Sequence, residues 1–388
     1  MHCQFILKNK LIIMLFISSV HFICICVLSL LNPCASLKPI INSFQTKTFS
    51  LLSNDTQQTN FVFSPLSLYQ ALSLLSNGAR GSTEYEIINA INHNNLVDQN
   101  IYNFKMLNAN RSSIVLANAV LSKFTPSDSF IQISNRFKAF VSELISAEQV
   151  NQWCYNKTNG TIPTIIDNID NAALIILNAV YFKGEWKHKF QSQMTYTSTF
   201  TNINNTSTNV NMMQQINVFN YYEDSTVQVF ELEYKLDNLS AIVILPQSEV
   251  NINTYIESNF NETTLQMYCD NMTKQEIEIH LPKFSFESTF NLNSVLKRVG
   301  IKRPFNETAA DFKLISPHSN LYVSSVLQKA FIKVDEEGTE AAAVTAVVLD
   351  GAILHDKKKV VVNRPFIFII RDNSFTKNYP FIAKIVNL

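Results

Sequence analysis

Val334-Asp-Glu-Glu-Gly-Thr-Glu-Ala-Ala-Ala-Val-Thr-Ala-Val347, close to the C-terminus, is the stretch on which the fold turns. An acidic pair and a single Gly lead into small, apolar or β-branched residues, with no Pro and no Asn or Asp until Asp350. That is strand chemistry. Asp350-Gly351 and His355-Asp-Lys-Lys-Lys359 follow, which is the composition of an exposed loop. With the period-two alternation of a strand, Thr339, Ala341, Ala343, Thr345, Val347 and Leu349 share one face, and none is charged. Glu340, Ala342, Val344, Ala346, Val348 and Asp350 share the other. The first face can enter a packed interior without burying an unpaired charge, and Gly338 supplies a permissive backbone at which the segment can hinge. An alanine-rich helix is the alternative: Ala341 to Ala343 has good helix propensity, whereas the β-branched run after it is poorer. On its chemistry the segment is a loop able to become a strand.

The run Glu336-Glu-Gly-Thr-Glu-Ala-Ala-Ala343 resembles the hinge of an inhibitory serpin, and other motifs accompany it in the family's order. They are Phe61-Val-Phe-Ser-Pro-Leu-Ser67, Gly78-Ala-Arg-Gly-Ser-Thr83, Lys157-Thr-Asn-Gly160, Asn178-Ala-Val-Tyr-Phe-Lys-Gly-Glu-Trp186, Leu281-Pro-Lys283, Asn363-Arg-Pro-Phe366 and Pro380-Phe381. Each is weak alone; the ordered set is specific. Of the seven glycines, Gly78, Gly81, Gly160, Gly184, Gly300 and Gly338 fall in motifs similar to the family's, leaving only Gly351 in the loop. The resemblance runs from near residue 40 to residue 388. It implies an α+β fold: one domain, residues 37–388, with helices around a large central mixed sheet, two further sheets and an exposed C-terminal reactive loop over about 338–359.

Composition agrees with one large soluble domain. Hydrophobic residues make up 46% of the 388, enough for a sizeable core, and no linker, repeat or sustained charge run divides the chain. A formal net charge of zero gives no reason to expect nucleic acid or an anionic membrane as partner. At the N-terminus, Lys8 and Lys10 precede an apolar run from Leu11 to Leu31 and the small-residue site Cys34-Ala-Ser36, the order of a signal peptide over residues 1–36. The run is also long enough to span a bilayer, so an uncleaved anchor is the alternative. The favoured reading is a secreted chain with no membrane association after signal removal. Cys154 and Cys269 then remain as the only cysteines, and the family layout implies free thiols. Ten Asn-x-Ser/Thr sequons begin at Asn54, Asn110, Asn156, Asn159, Asn204, Asn205, Asn238, Asn261, Asn271 and Asn306, and suggest a glycoprotein.

Periodicity places the main elements. Ser64-Pro65 is an N-cap with a first-turn proline, followed by Leu68, Leu72 and Leu75 on one face. Thr83-Glu-Tyr-Glu86 has the form of a capping box. Apolar runs at Ile114–Leu121 and Leu174–Phe182 suit central strands. Further strands are expected at Val227–Tyr234, Ala241–Leu245, Glu276–Leu281, Leu321–Val334, Phe366–Ile370 and Phe381–Val386, and helices at Ser129–Leu144 and Glu148–Asn156. The last two leave almost no room for the edge strand that serpins have between them.

Asn178 lies inside an apolar strand and needs partners. The resemblance implies Ser64, Ser67 and Gln328, which with Asn178 look like the family's shutter; inhibitory relatives often have His where Gln328 stands. It also implies an ion pair between Glu336 and Lys283 near Trp186, the region called the breach. The hinge proper is Glu336, Glu337, Gly338, Thr339, Glu340, Ala341, Ala342 and Ala343. No G-x-S-x-G, H-E-x-x-H, GxGxxG or P-loop occurs, which argues against an enzyme and against a cofactor or metal. His280, in Glu-Ile-His-Leu-Pro, reads as a strand residue rather than a ligand. The stretch from Asn92 to Arg111 has only Lys105 and Arg111 as bases, too few for a heparin-type activator. Lys357-Lys-Lys359 is a solvated run or a means of steering an acidic protease surface.

What the resemblance implies for function is a monomeric suicide substrate. A target serine protease attacks the loop and forms an acyl-enzyme through its own triad. The cleaved loop then inserts as a new central strand, about fourteen residues at roughly 3.3 Å each, and carries the protease away. Counting from Gly338 places the scissile bond at Ala352-Ile353; counting back from Asn363 places it at Leu354-His355. The first suits an elastase-like pocket, the second a chymotrypsin-like one. A non-inhibitory serpin acting as carrier, chaperone or storage protein is the other class of function; such members commonly have charged, bulky or Pro-rich hinges, unlike this one.

Overall fold

A computed structural model describes residues 38–91, 114–170, 172–235, 238–317, 320–339, 358–373 and 378–388. Among these residues there are eight α-helices, numbered in chain order: α1 Lys38–Asp55, α2 Pro65–Ser76, α3 Gly81–Ala90, α4 Asp128–Arg136, α5 Ala147–Lys157, α6 Ile252–Asn259, α7 Glu262–Asn271 and α8 Asn293–Arg298. The strands are β1 Phe61–Phe63, β2 Ile114–Ser122, β3 Phe140–Glu143, β4 Leu174–Phe182, β5 Gly184–Glu185, β6 Tyr196–Thr201, β7 Ser207–Glu223 and β8 Val227–Glu233. They continue with β9 Leu239–Pro246, β10 Thr273–Pro282, β11 Phe284–Asn291, β12 Val323–Val334, β13 Gly338–Thr339, β14 Lys358–Val361, β15 Phe366–Asp372 and β16 Phe381–Ile385.

Three sheets result. A nine-stranded sheet runs β1-β16-β15-β9-β8-β7-β10-β14 with β6 on β7; a five-stranded sheet runs β11-β12-β4-β2-β3; and β13 pairs with β5 alone. Every residue of β4 is buried because the strand is covered on both faces. Ile175, Leu177 and Ala179 pack with Val150 and Cys154 of α5, while Ile176 faces α2 and Val180 and Phe182 face the nine-stranded sheet. Helix α2 is buried along its whole length, and its N-terminus is the predicted cap: Ser64 Oγ accepts from the Ser67 N–H at 3.3 Å, with Pro65 in the first turn.

Two expectations about local structure fail for visible reasons. Helix α4 ends at Arg136 rather than running to Leu144, and Phe140–Glu143 then pairs parallel with β2 as the edge strand judged to be missing. The stop is Lys138 in the left-handed conformation (φ 53°), with the Ala139 N–H reaching back to the Ser134 carbonyl at 3.0 Å. This is the usual left-handed helix ending, made here without the Gly that would have announced it. The capping box also dissolves. Helix α3 begins at Gly81; Thr83 Oγ1 accepts from the Asp311 N–H at 3.0 Å, and Glu86 accepts from the Lys302 and Arg303 N–H groups at 2.7 and 2.6 Å. Both side chains tie the helix to a distant segment instead of to its own first turn. The strands β1, β5, β6, β7, β11 and β14 were not expected: β6 and β7 are rich in Thr and Asn with little hydrophobic alternation, β1, β5 and β14 are only two to four residues long, and β11 does carry a period-two signal in Phe284, Phe286 and Phe290 that was overlooked.

Candidate functional site

Strand β12 and strand β4 lie side by side in parallel, with one irregularity between Val323 and Ser325 and then continuous register from Ser325 opposite Ile175 to Phe331 opposite Tyr181. After Val334 the chain reverses within four residues. The Asp335 N–H donates to the Gly338 carbonyl at 2.9 Å, and the Asp335 carboxylate caps the turn by accepting from the Glu337 N–H at 3.0 Å. Gly338 and Thr339 then pair antiparallel with Glu185 and Gly184, which follow β4 after the single residue Lys183. So β13 is held by the bridge to Asp335 on one side and by the continuation of β4 on the other. Its direction opposes both β12 and β4.

Only glycine fits this turn. Gly338 has φ 148°, and a β-carbon there would collide with the Gly184 carbonyl oxygen; a β-carbon on Gly184 would in turn lie 2.7 Å from Phe182 Cζ. Thr339 is completely buried, its hydroxyl 2.9 Å from Tyr234 Oη. The predicted inward face therefore begins with a residue that is already inside.

A clasp of side chains surrounds the turn. Trp186, 1% exposed, stacks on Tyr234 with ring centroids 4.5 Å apart and donates from Nε1 to the Asp335 carbonyl at 2.9 Å. The backbone N–H groups of Trp186 and Phe190 donate to the Glu337 and Glu336 carbonyls, each at 3.0 Å. Lys283 Nζ lies 2.7 Å from Glu336 Oε2, and Thr195 Oγ1 donates to Oε1 at 2.8 Å. Burial pushes the Glu336 carboxyl upward, but these two bonds prevail and hold it below the usual carboxylate range. Lys189 pairs with Glu337 at 2.6 Å, and that bond lifts its ammonium above the ordinary lysine value against the opposing effect of burial. Sequence reasoning reached Trp186, Lys283 and Glu336; it missed Thr195, Tyr234 and Lys189, which no local pattern connects to the turn.

Beneath the middle of the β12–β4 pair sits a polar cluster. Gln328 and Asn178 are register partners, yet their side chains bond elsewhere. Gln328 accepts from the Ser64 N–H at 2.6 Å and donates to the Ser64 carbonyl at 3.0 Å, so it acts as an extra peptide group for the chain entering α2. Asn178 Nδ2 donates to Asn118 Oδ1 at 2.8 Å, and Ser67 Oγ donates to the same oxygen at 2.8 Å. Ser64 Oγ donates to the Pro380 carbonyl at 2.7 Å. The four expected residues all lie in this region, but the hub linking Asn178 to Ser67 is Asn118 on β2, which was overlooked. An Asn in the run Ile114 to Leu121 posed the same problem as Asn178 and was the available signal.

Glu340 to Ala343, the scissile candidates Ala352, Ile353, Leu354 and His355, and the leader all lie outside the described residues. So does the stretch from Asn92 to Arg111. Lys358 and Lys359 of the basic run open β14 and are engaged in the sheet: Lys358 pairs with Glu223 and lies 4.9 Å over the Tyr221 ring, and Lys359 is 3.6 Å from Glu278. Both side chains are exposed but paired. Cys154 is buried and Cys269 half-buried, and neither is in a disulfide among the described residues. Among the described residues no His, Cys, Asp and Glu side chains group to hold a metal, and no helix is long and apolar enough to cross a membrane.

Comparison with known proteins returns one family. The sequence model of the serpins, described as serine protease inhibitors, matches residues 39–388. Leukocyte elastase inhibitor of Equus caballus is 31% identical, over 85% of this chain and 94% of its own. Among solved structures, the native thermophilic serpin tengpin superposes with a TM-score of 0.82 at 29% identity, covering 91% of this chain and 94% of that one. Human thyroxine-binding globulin complexed with thyroxine superposes at 0.83 with 25% identity, covering 91% and 99%.

Proposed function

Because this chain belongs to the serpin family of protease inhibitors, we propose that it is a secreted suicide-substrate inhibitor that traps a serine protease by inserting its cleaved loop between β12 and β4. The family is one of inhibitors rather than enzymes, and its named relatives include an elastase inhibitor. The observation that carries the mechanism is β13: two residues of the hinge already turned back, buried, and seated between the end of β12 and the continuation of β4. A strand continuing from Thr339 in that direction runs antiparallel to both neighbours. Insertion would exchange one parallel ladder for two antiparallel ones, and antiparallel pairing is slightly the more stable per residue. The uncharged face that starts at Thr339 meets the interior without desolvating a charge.

The attacking protease supplies the triad; this chain supplies a substrate loop and a sheet able to open. Ala352-Ile353 is the proposed scissile bond, because inserted length counts from the hinge, and the target is then elastase-like; Leu354-His355 with a chymotrypsin-like target is the runner-up. Incubation with elastase, chymotrypsin and trypsin should give an SDS-resistant covalent complex with at least one of them. Mass spectrometry of the released peptide locates the bond: an N-terminus at Ile353 supports the hinge count, one at His355 the distal count, and one at Lys358 or beyond overturns both. A second function has one observation in its favour, the likeness to a globulin solved with thyroxine. Loop cleavage by all three proteases with no complex would favour a non-inhibitory role, as carrier, chaperone or storage protein, instead.

A further inference from the structure

Glu278, His280 and Tyr196 form a hydrogen-bonded row on the nine-stranded sheet that no part of the inhibitor mechanism uses. Glu278 and His280 are two apart on β10 and so share a face. Tyr196 stands across from them on β6. His280 Nε2 is 2.7 Å from Glu278 Oε1, and Nδ1 is 2.7 Å from Tyr196 Oη. The imidazole is only 2% exposed, whereas Tyr196 is 39% exposed.

The charges fix the tautomer. Besides His280, Glu278 Oε1 accepts from Gln214 Nε2 of β7 at 2.9 Å and faces Lys359 Nζ of β14 at 3.6 Å. Burial raises its carboxyl, but the bond from His280 and the nearby Lys359 outweigh it and leave the group below the usual range. An ionised carboxylate only accepts, so the imidazole proton sits on Nε2 and Nδ1 is left to take the phenol's hydrogen. Burial also draws His280 below its ordinary value against the opposing pull of Glu278, which keeps it neutral, in its base form, near pH 7. A nucleophile bonded to a base, with the base oriented by a third group, is the arrangement that activates a weak hydroxyl.

We propose that Tyr196 is a nucleophilic modification site for small activated acyl donors of the aryl-ester class, with His280 as its base and Glu278 as the positioning residue. Tyr196 Oη attacks the ester carbonyl carbon while its proton passes to His280 Nδ1. The tetrahedral intermediate then expels the aryl oxygen, which takes that proton from Nδ1 and leaves as a free phenol. The products are acyl-Tyr196 and a neutral His280, so the event is stoichiometric. The alternative is a buried histidine satisfied in its strand, which would confer no reactivity on its neighbour.

The molecule contains its own control. Tyr85 on α3 is 64% exposed and has no hydrogen-bond partner among the described residues. The full chain is treated with 4-nitrophenyl acetate, and acetylation is followed peptide by peptide by mass spectrometry. Base catalysis in formed sites contributes about 10²–10⁴-fold, and without an organised oxyanion site roughly a tenth of the lower bound, about tenfold for Tyr196 over Tyr85, is expected. Equal rates at the two tyrosines overturn the proposal, and this comparison needs no variant. Glu278→Gln should lower the Tyr196 rate roughly tenfold toward that of Tyr85, since general-base efficiency follows the base's tautomer and basicity. The pH profile separates a base from a free phenolate. With His280 as base the rate is level at neutral pH and falls only below its ordinary value of 6.5. A rate that climbs steadily toward the tyrosine range near pH 10 overturns the assignment.

Discussion

The two ends of the proposed reactive loop are anchored in opposite ways. Upstream, two residues of β13 are buried in a turn that only glycine can make, clasped by Trp186, Tyr234, Lys283 and Lys189. Downstream, β14 is a parallel edge strand from Lys358 to Val361 on β10, its first two side chains exposed and held by surface ion pairs. The upstream end is a strand already started, in the direction insertion would continue. The downstream end is a fixed post. If the loop is cut between them, only the upstream part has a path into a sheet, and the difference between the ends sets the direction of any insertion.

The strongest test of that asymmetry is the cleaved chain itself. Cutting the loop should raise the melting temperature by roughly 10 °C or more, which at about 2–4 °C per kcal/mol for 150–250 residues, and less for a larger domain, corresponds to a stabilisation of at least about 3–5 kcal/mol. Calorimetry of intact and loop-cleaved protein reads it directly. Equal temperatures would mean that the ends do not differ in what they can do.

Thr339→Arg attacks the upstream end alone. Its hydroxyl is fully buried against Tyr234, and an uncompensated buried charge costs about 3–5 kcal/mol. Covalent complex with the target should fall by roughly 100-fold or more, since each 1.4 kcal/mol is about tenfold, with cleavage by the protease intact. Complex at the wild-type yield would show that Thr339 does not lead the inserting face.

The polar cluster beneath β12 and β4 gives a smaller effect with a built-in order. Asn118→Ala strips the shared acceptor from both Asn178 and Ser67, and each buried group left unsatisfied costs about 1–3 kcal/mol. Asn178→Ala leaves Asn118 its bond from Ser67 and should cost less. Chemical denaturation of the two variants ranks them, and the reverse order would remove Asn118 from the hub.

What could be read from residues alone follows the same division. The upstream turn at Gly338 was legible because its chemistry is local: one glycine behind an acidic pair, leading into an uncharged Thr339 that the structure buries. Strand β4 was legible because, Asn178 apart, its nine residues form one unbroken apolar run of strand length. The edge strand β3 was lost because Lys138 makes a left-handed stop without glycine. Asn118 carried a local signal, a lone Asn in an apolar run, but not the identity of its partners; Tyr234 and Thr195 carried none, because they contribute through contacts far away in sequence, and a single chain read linearly carries no record of who lies opposite.

The smallest effect expected is also the one that sets the two ends most directly side by side. Lys283→Met removes the upstream ion pair with Glu336, and Lys359→Met removes the downstream one with Glu278; partly exposed pairs contribute about 0–1 kcal/mol each. Their global stabilities should therefore be nearly the same. Their local effects should not, because only Glu336 touches the hinge. Its carboxyl is held below the usual range in the folded chain, so its contribution is present above the ordinary value of 4.5 and is lost as pH falls through the lower folded value. The clasp should thus loosen only on strong acidification in the native protein. In Lys283→Met the carboxyl loses its main support and protonates at higher pH, which moves the loosening toward neutrality. Trp186 reports it once Trp153, the other tryptophan, is replaced by Phe: its emission depends on stacking against Tyr234 beside the turn. An acid transition of Trp186 emission that shifts upward in Lys283→Met and stays in place in Lys359→Met assigns the hinge to the upstream clasp. The same shift in both variants would mean that the loop's two ends are coupled, and that neither is a fixed post.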